Sequence, residues 1–206
     1  MSYSKFYILL LLTFLQLSLA AQSSNDSVFN KTVLHSFYIT RVSDNKKALL
    51  KETSKPLRLF IFLSPECPMC RKYSPLLKSL YRQFSADVEF YGIVPGKAYS
   101  GDDVRKYRDE NEIPFSLLID ENKALSNYLQ ASVTPQVILL NRNYEMIYEG
   151  AIDNWLVKLG KQRPKATEDF LSKALFQNLQ HEKVSVKRVK NSLIKNRIVT
   201  ALCSQA

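Results

Sequence analysis

The chain is short of glycine, histidine, tryptophan, cysteine and acidic residues. Five glycines in 206 residues exclude a collagen-like protein, and 46% apolar with 23% charged residues is the composition of a folded globule, not of a disordered chain. With only His35 and His181, neither close to a cysteine in sequence, a metal centre would need more ligands than are on offer, so no metal or other cofactor is expected. Three cysteines cannot all pair internally, and Cys67 and Cys70 lie too close in sequence for their disulfide to close a useful loop. A redox pair is therefore a better reading of them than a structural staple. Acids number 19 against 29 bases, giving a formal charge of +10. No nucleic-acid-reading motif accompanies that charge, and no internal repeat is visible.

A long apolar run occurs only at the start. Lys5, the nearly unbroken apolar stretch Phe6 to Leu17, and Ser18-Leu19-Ala20 have the order of a secretory signal over residues 1–20, cleaved after Ala20 or Ala21. The run is shorter than the ~20 residues a bilayer span needs. No cysteine follows it to carry a lipid. A periplasmic or otherwise exported location follows, where disulfide chemistry is permitted. Residues 21–55 are expected to be an N-terminal extension with a possible first strand, 56–180 the folded domain, and 181–206 a basic tail. Lys183, Lys187, Arg188, Lys190, Lys195 and Arg197 face only Glu182 there, which suits a solvated tail or weak contact with an anionic membrane surface.

Hydrophobic patterning orders the middle. Val33 to Val42 reads as a strand and Ala48 to Glu52 as a short helical turn. Leu57 to Leu63 is apolar on both faces except at Arg58, the pattern of an interior strand. From Pro68 to Phe84 apolar residues recur at three- and four-residue steps, predicting a helix kinked at Pro75. Val88 to Val94 is a strand again, so the unit is a parallel crossover. Ser100 opens a polar helix over Val104 to Asn111, and Phe115 to Ile119 is a further strand. A short helix spans Asn122 to Leu129. Gln136–Leu140 and Tyr144–Tyr148 form a hairpin around Asn141-Arg-Asn143. Thr167 is placed to cap a last helix over Glu168 to Leu179. Trp155 is expected in the core.

Strand, Cys-x-x-Cys helix, strand, then Thr-Pro before a hairpin and a closing helix: this order resembles the thioredoxin-like superfamily. The implied fold is α/β, a central mixed sheet flanked by helices, over roughly Pro56 to Leu179. Phe62-Leu-Ser-Pro-Glu-Cys67-Pro, Phe90-Tyr-Gly, Thr134-Pro-Gln-Val and Tyr148-Glu-Gly-Ala-Ile-Asp153 look like exported bacterial proteins of the redoxin branch, peroxiredoxin-like and AhpC/TSA-like. The resemblance makes Cys67 and Cys70 the catalytic thiols and Thr134-Pro135 the cis-proline loop that meets substrate, with Pro68 and Met69 beside it.

Cys67 precedes the helix, whose end favours its thiolate, and Cys70 lies within the first turn. Cys67 is thus expected to attack a substrate disulfide and Cys70 to resolve it. Arg71 and Lys72 would support the thiolate, and Glu66 would oppose it. No histidine separates the two thiols, so the strongly oxidising form of the motif is not indicated. Where the family often has a buried acid, six residues before the first cysteine, this chain has Ile61, and Glu66 stands in place of the usual tryptophan. The implied partners are protein disulfides or dithiols and a redox partner protein. The alternatives are a thiol peroxidase, for which Ser64 matches half of the motif and the arginine is not placeable, and a copper-carrying module, which would want a histidine near the thiols.

Overall fold

The computed structural model describes residues 27–158 and 160–189; the expected signal segment and Cys203 lie outside the described residues. In chain order the elements are α1 (Lys31–Leu34), β1 (Tyr38–Arg41), β2 (Lys47–Leu49), β3 (Leu57–Phe62), α2 (Pro68–Phe84), β4 (Val88–Pro95), α3 (Gly101–Glu110) and β5 (Ser116–Asp120). There follow α4 (Ala124–Tyr128), β6 (Gln136–Leu140), β7 (Met146–Gly150), β8 (Leu156–Lys158), β9 (Lys161–Gln162), α5 (Phe170–Leu179) and β10 (Arg188–Val189).

All six residues of β3 are buried. It pairs with β4 in parallel on one side and with β6 antiparallel on the other, so the sheet is mixed as expected. Successive strand residues face opposite ways. Leu57, Leu59 and Ile61 accordingly pack into one core with Leu77 and Leu80 of α2, while Phe60 and Phe62 enter a second with Leu34 and Leu125. The full order is β10-β7-β6-β3-β4-β5-β1-β2, and β8 and β9 form a separate small pair. Gly92 in β4 is needed for space, because a Cβ there would lie 2.3 Å from Leu117 Cδ2.

Helix α2 begins as the sequence predicts. Pro68 occupies the first turn, where an amide hydrogen has no helix partner to lose. Met69, Cys70, Tyr73, Leu77, Leu80 and Phe84 form its buried stripe, and the helix continues through Pro75 to Phe84. Helix α3 opens on a reciprocal capping box between Ser100 and Asp103, which holds the Asp103 carboxyl below its usual range through the Ser100 hydrogen bonds.

Four expectations need correction. The N-terminal part of the expected strand at 33–42 is helix α1, because Asn30 Oδ1 accepts from Val33 N at 3.1 Å and starts a turn. The helical turn expected at 48–52 is replaced by strand β2, since Asn45, with φ 54°, reverses the chain and lets β2 pair antiparallel to β1. Thr167 does not cap the last helix; the Asn154 side chain instead accepts from the amides of Thr167 and Glu168, at 2.9 and 3.2 Å. Within the expected basic tail, residues 188 and 189 form β10 beside β7. Glu149 N donates to Lys187 O at 2.9 Å and Arg188 pairs with the Glu149 carboxylate at 2.9 Å. Gly150 permits this approach: its φ is +138°, and a Cβ there would lie 2.0 Å from Val189 O. Among the described residues no helix is long and apolar enough to cross a membrane.

Candidate active site

The end of β3 and the start of α2 place two thiols in neighbouring but unequal surroundings. Cys67 is the N-cap residue of α2, in extended backbone geometry, where the first-turn amides have no helix acceptors. It is 8% exposed, whereas Cys70, three residues into the helix, is fully buried. Cys70 is a free thiol. Cys67 Sγ donates to Thr134 O at 3.4 Å, so two stretches 67 residues apart in sequence meet at the sulfur. The Thr134–Pro135 peptide bond is cis, and both residues are buried.

Pro68 and Met69 part company. Pro68 faces outward, while Met69 is 7% exposed and packs into the core with Cys70 and Tyr73. A substrate contact through the Met69 side chain is thereby disfavoured: consecutive helix positions point about 100° apart, and the buried stripe claims this one.

On one side of Cys67, the buried Ser64 hydroxyl meets the Tyr99 hydroxyl at 3.1 Å, and Arg71 Nε donates to Pro65 O at 3.1 Å. Burial pushes the Tyr99 phenol above its ordinary range. Pro65, Arg71 and Tyr99 border a groove of about 420 Å³ that also reaches Glu66, Lys106 and Tyr107. Arg71, expected from the sequence to support the thiolate, is thus tied to the loop that carries Cys67.

On the other side of α2, Tyr73 donates to Asp153 Oδ1 at 2.6 Å, and the same oxygen accepts from Trp155 N at 2.9 Å. Trp155 packs edge-on against Tyr73 with ring centroids 5.5 Å apart. Lys72 Nζ lies 5.7 Å from the Trp155 ring centre. Trp155 is thus only partly buried, against the helix of the cysteines, instead of central to the core. Burial, then the Asp153 hydrogen bond, drive the Tyr73 phenol far above its ordinary range. Ile61, in the apolar core below, confirms that no acid projects from that position of β3.

Tyr99 and Tyr107 had no sequence signal. Tyr99 follows a Pro-Gly turn and Tyr107 looks like one apolar position of a polar helix; only the crossover brings them to Cys67 and Cys70. Asp153 did have one, as the end of the Tyr148 to Asp153 stretch. Among the described residues no group of three or more His, Cys, Asp or Glu side chains is placed to hold a metal.

The architecture and the chain's relatives agree. The AhpC/TSA family model matches residues 34–152, more than half of the chain. An uncharacterized conserved protein from Geobacillus kaustophilus is similar at TM-score 0.65 and 22% identity, covering 75% of this chain and 84% of that one. A hypothetical protein from Sinorhizobium meliloti 1021 is similar at TM-score 0.64 and 19% identity, covering 75% and 86%. A secreted Mycobacterium tuberculosis disulfide oxidoreductase homologous to E. coli DsbE is similar at TM-score 0.48 and 18% identity, covering 57% and 84%. No curated protein matches. The fold is thioredoxin-like: a mixed sheet with flanking helices and the two cysteines at the β3–α2 junction.

Proposed function

This chain belongs to the AhpC/TSA family, and from that premise we propose that it is an exported thiol-disulfide oxidoreductase acting on protein disulfides through Cys67 and Cys70. The observation that carries this reading is the meeting of the Cys67 sulfur with Thr134 O at 3.4 Å, with the fully buried Cys70 one turn behind it. Cys67, 8% exposed beside the Thr134–Pro135 loop, is the thiol a substrate can reach; Cys70, at 0%, is left to react with Cys67.

In the reducing direction, Cys67 thiolate attacks one sulfur of a substrate disulfide, a mixed disulfide forms, and the first substrate thiolate leaves. Cys70 thiolate then attacks the Cys67 sulfur, the Cys67–Cys70 disulfide forms, and the second substrate thiolate leaves. Two electrons pass to the substrate, and the two protons of the cysteines end on its thiols. A redox partner protein reverses the change in the enzyme. Pro68, Thr134 and Pro135 frame the approach, with the Thr134–Pro135 backbone beside the reacting sulfur. The apolar leader at residues 1–20 supports export to an oxidising compartment.

Insulin-disulfide reduction tests the assignment. Cys67→Ser should abolish it, and Cys70→Ser should trap mixed disulfides with the natural partner. Retained activity in Cys67→Ser, together with an empty trap, would reverse the two roles or remove them.

A thiol peroxidase is the second reading, favoured by the placement of Arg71 and Ser64 around the Cys67 loop. There Cys67 thiolate would take one oxygen from hydrogen peroxide to form a sulfenic acid, and Cys70 would expel it as water in closing the disulfide. Stopped-flow mixing decides: reaction of Cys67 with peroxide orders of magnitude faster than a free thiol's favours this reading over the first.

A further inference from the structure

Resolution of a mixed disulfide requires Cys70 to act as a thiolate, yet its surroundings are apolar. Cys70 is 0% exposed and belongs to the apolar core that also holds Ile61, Met69, Tyr73, Leu77 and Tyr107. Its own carbonyl accepts from Ser74 Oγ at 3.2 Å, which commits the nearest hydroxyl on α2 to the backbone. A charge developing on that sulfur needs a donor, because a buried anion without a hydrogen bond is strongly disfavoured.

The facing helix holds one. Among the described residues two buried side-chain polar atoms lack a hydrogen-bond partner, Arg58 Nε and the Tyr107 hydroxyl. Arg58 is at the opposite end of β3 from the cysteines. Tyr107 is 1% exposed, lies on α3, and belongs to the core that holds both thiols. The charged and titratable groups acting on its hydroxyl are Cys70, Cys67 and Arg71 on α2; the Ser74 hydroxyl also lies close enough to favour ionisation as a hydrogen-bonding neighbour, but it does not meet the phenol in hydrogen-bond geometry. Lys106 and Glu110 of its own helix line the adjoining groove with Glu66. After burial itself, Cys70 is the largest influence disfavouring ionisation of the phenol, which therefore stays protonated and acts as a donor, not as a base.

We propose that Tyr107 is the hydrogen-bond donor reserved for the Cys70 sulfur, engaged when Cys70 becomes the attacking thiolate and released when the Cys67–Cys70 disulfide closes. The proposal rests on the dithiol-disulfide reading above. No proton leaves the phenol in this cycle: the Cys70 proton goes to the first departing substrate thiolate, and the Tyr107 O–H only turns toward the sulfur. Because the donor favours the reduced form, it makes the couple more oxidising. Tyr107 is a positioning residue, acting through Cys70.

Tyr107→Phe keeps the ring and removes only an unpartnered hydroxyl, so its melting temperature should equal or exceed that of the wild type. In a glutathione redox buffer, the variant's disulfide should be about tenfold more favoured than the wild type's, a shift of about 30 mV to more negative potential. In single turnovers the mixed disulfide on Cys67 should persist about tenfold longer, with its rate of formation unchanged. A purely structural tyrosine would move stability and leave both redox readouts alone; that result overturns the proposal. Should the variant fail to fold, 3-fluorotyrosine placed at position 107 in the otherwise native chain reports instead. Its fluorine resonance should differ between dithiol and disulfide forms, and an unchanged resonance also overturns the proposal. A wild-type chain that never forms the Cys67–Cys70 disulfide defeats the underlying reading of the site, which separates the two failures.

Discussion

Replacing Tyr73 by Phe should cost far more than one hydroxyl group ordinarily contributes. The Tyr73 hydroxyl donates to Asp153 at 2.6 Å, and both residues are buried. The same oxygen accepts from the Leu156 amide. Its removal takes a donor from a buried carboxylate and an acceptor from a buried N–H. A hydrogen bond to a charged group is worth about 1.5–3 kcal/mol, and an orphaned buried donor costs about 1–3 kcal/mol. A total near 3 kcal/mol is expected, which for a domain of this size lowers the melting temperature by roughly 6–12 °C. Asp153→Asn keeps a carbonyl oxygen for Tyr73 and Trp155 and should cost less. Urea unfolding of the wild type, Tyr73→Phe, Asp153→Leu and the double variant gives the coupling directly. It should be about 1.5–3 kcal/mol, because the second change removes a group the first has already stranded. If Tyr73→Phe lies within about 0.5 kcal/mol of wild type and the double variant is additive, the contact carries no net energy and this reasoning fails.

Three further outcomes are expected. Burial holds the phenols of Tyr73, Tyr91, Tyr107 and Tyr148 un-ionised above the pH at which free tyrosine titrates. A raised folded-state pKa means stability complete below about pH 10 and lost as pH rises beyond it, by about 1.4 kcal/mol per pH unit for each phenol; absorbance near 295 nm should therefore show these four ionising only with unfolding, and early ionisation of all eleven tyrosines would contradict it. Gly150→Ala places a Cβ against the Val189 carbonyl at a backbone angle few other residues adopt, and should cost about 1–3 kcal/mol while releasing β10; amide exchange at Glu149, Gly150 and Val189 should accelerate, and unchanged protection would show that the edge tolerates the methyl group. In a Cys203→Ser background, a small alkylating reagent should modify Cys67 at least tenfold faster than Cys70 in the native state, because exposure limits thiol reactivity; equal rates measured by mass spectrometry would contradict the assigned burial.

The crossover from β3 to β4 and the limits of α2 were legible because both rest on local pattern: five apolar residues in a row, Leu59 to Leu63, then a stripe at helical spacing begun by Pro68. Cys67 and Cys70 were legible for the same reason. Of the N-terminal strands, β1 falls within the stretch read as strand at 33–42, but β2 was not legible. Lys47 to Leu49 has weak strand preference, and it becomes a strand because Asn45 turns it back onto β1, a fact about pairing and not composition. Val189 likewise becomes a strand by reaching a gap that Gly150 leaves. Met69 was assigned to substrate by adjacency, while its burial depends on which face α2 turns to the sheet. Tyr107 was invisible because its significance lies in a missing partner, and a missing hydrogen bond has no sequence pattern.

The two-sided packing of β3 constrains how this chain can change. Its odd residues serve the core beneath the cysteines and its even residues the opposite one. Inserting or deleting one residue in the strand would exchange the two sets, driving Phe60 and Phe62 into the space shaped for Leu59 and Ile61 and rotating Cys67 away from Thr134. Substitutions can accumulate along β3 one position at a time, but its length cannot vary. The distance from Leu57 to Cys67 is therefore a ruler, and length variation in descendants of this sequence belongs in the loops beyond it, such as the turn at Asn45 and the segment between β7 and α5.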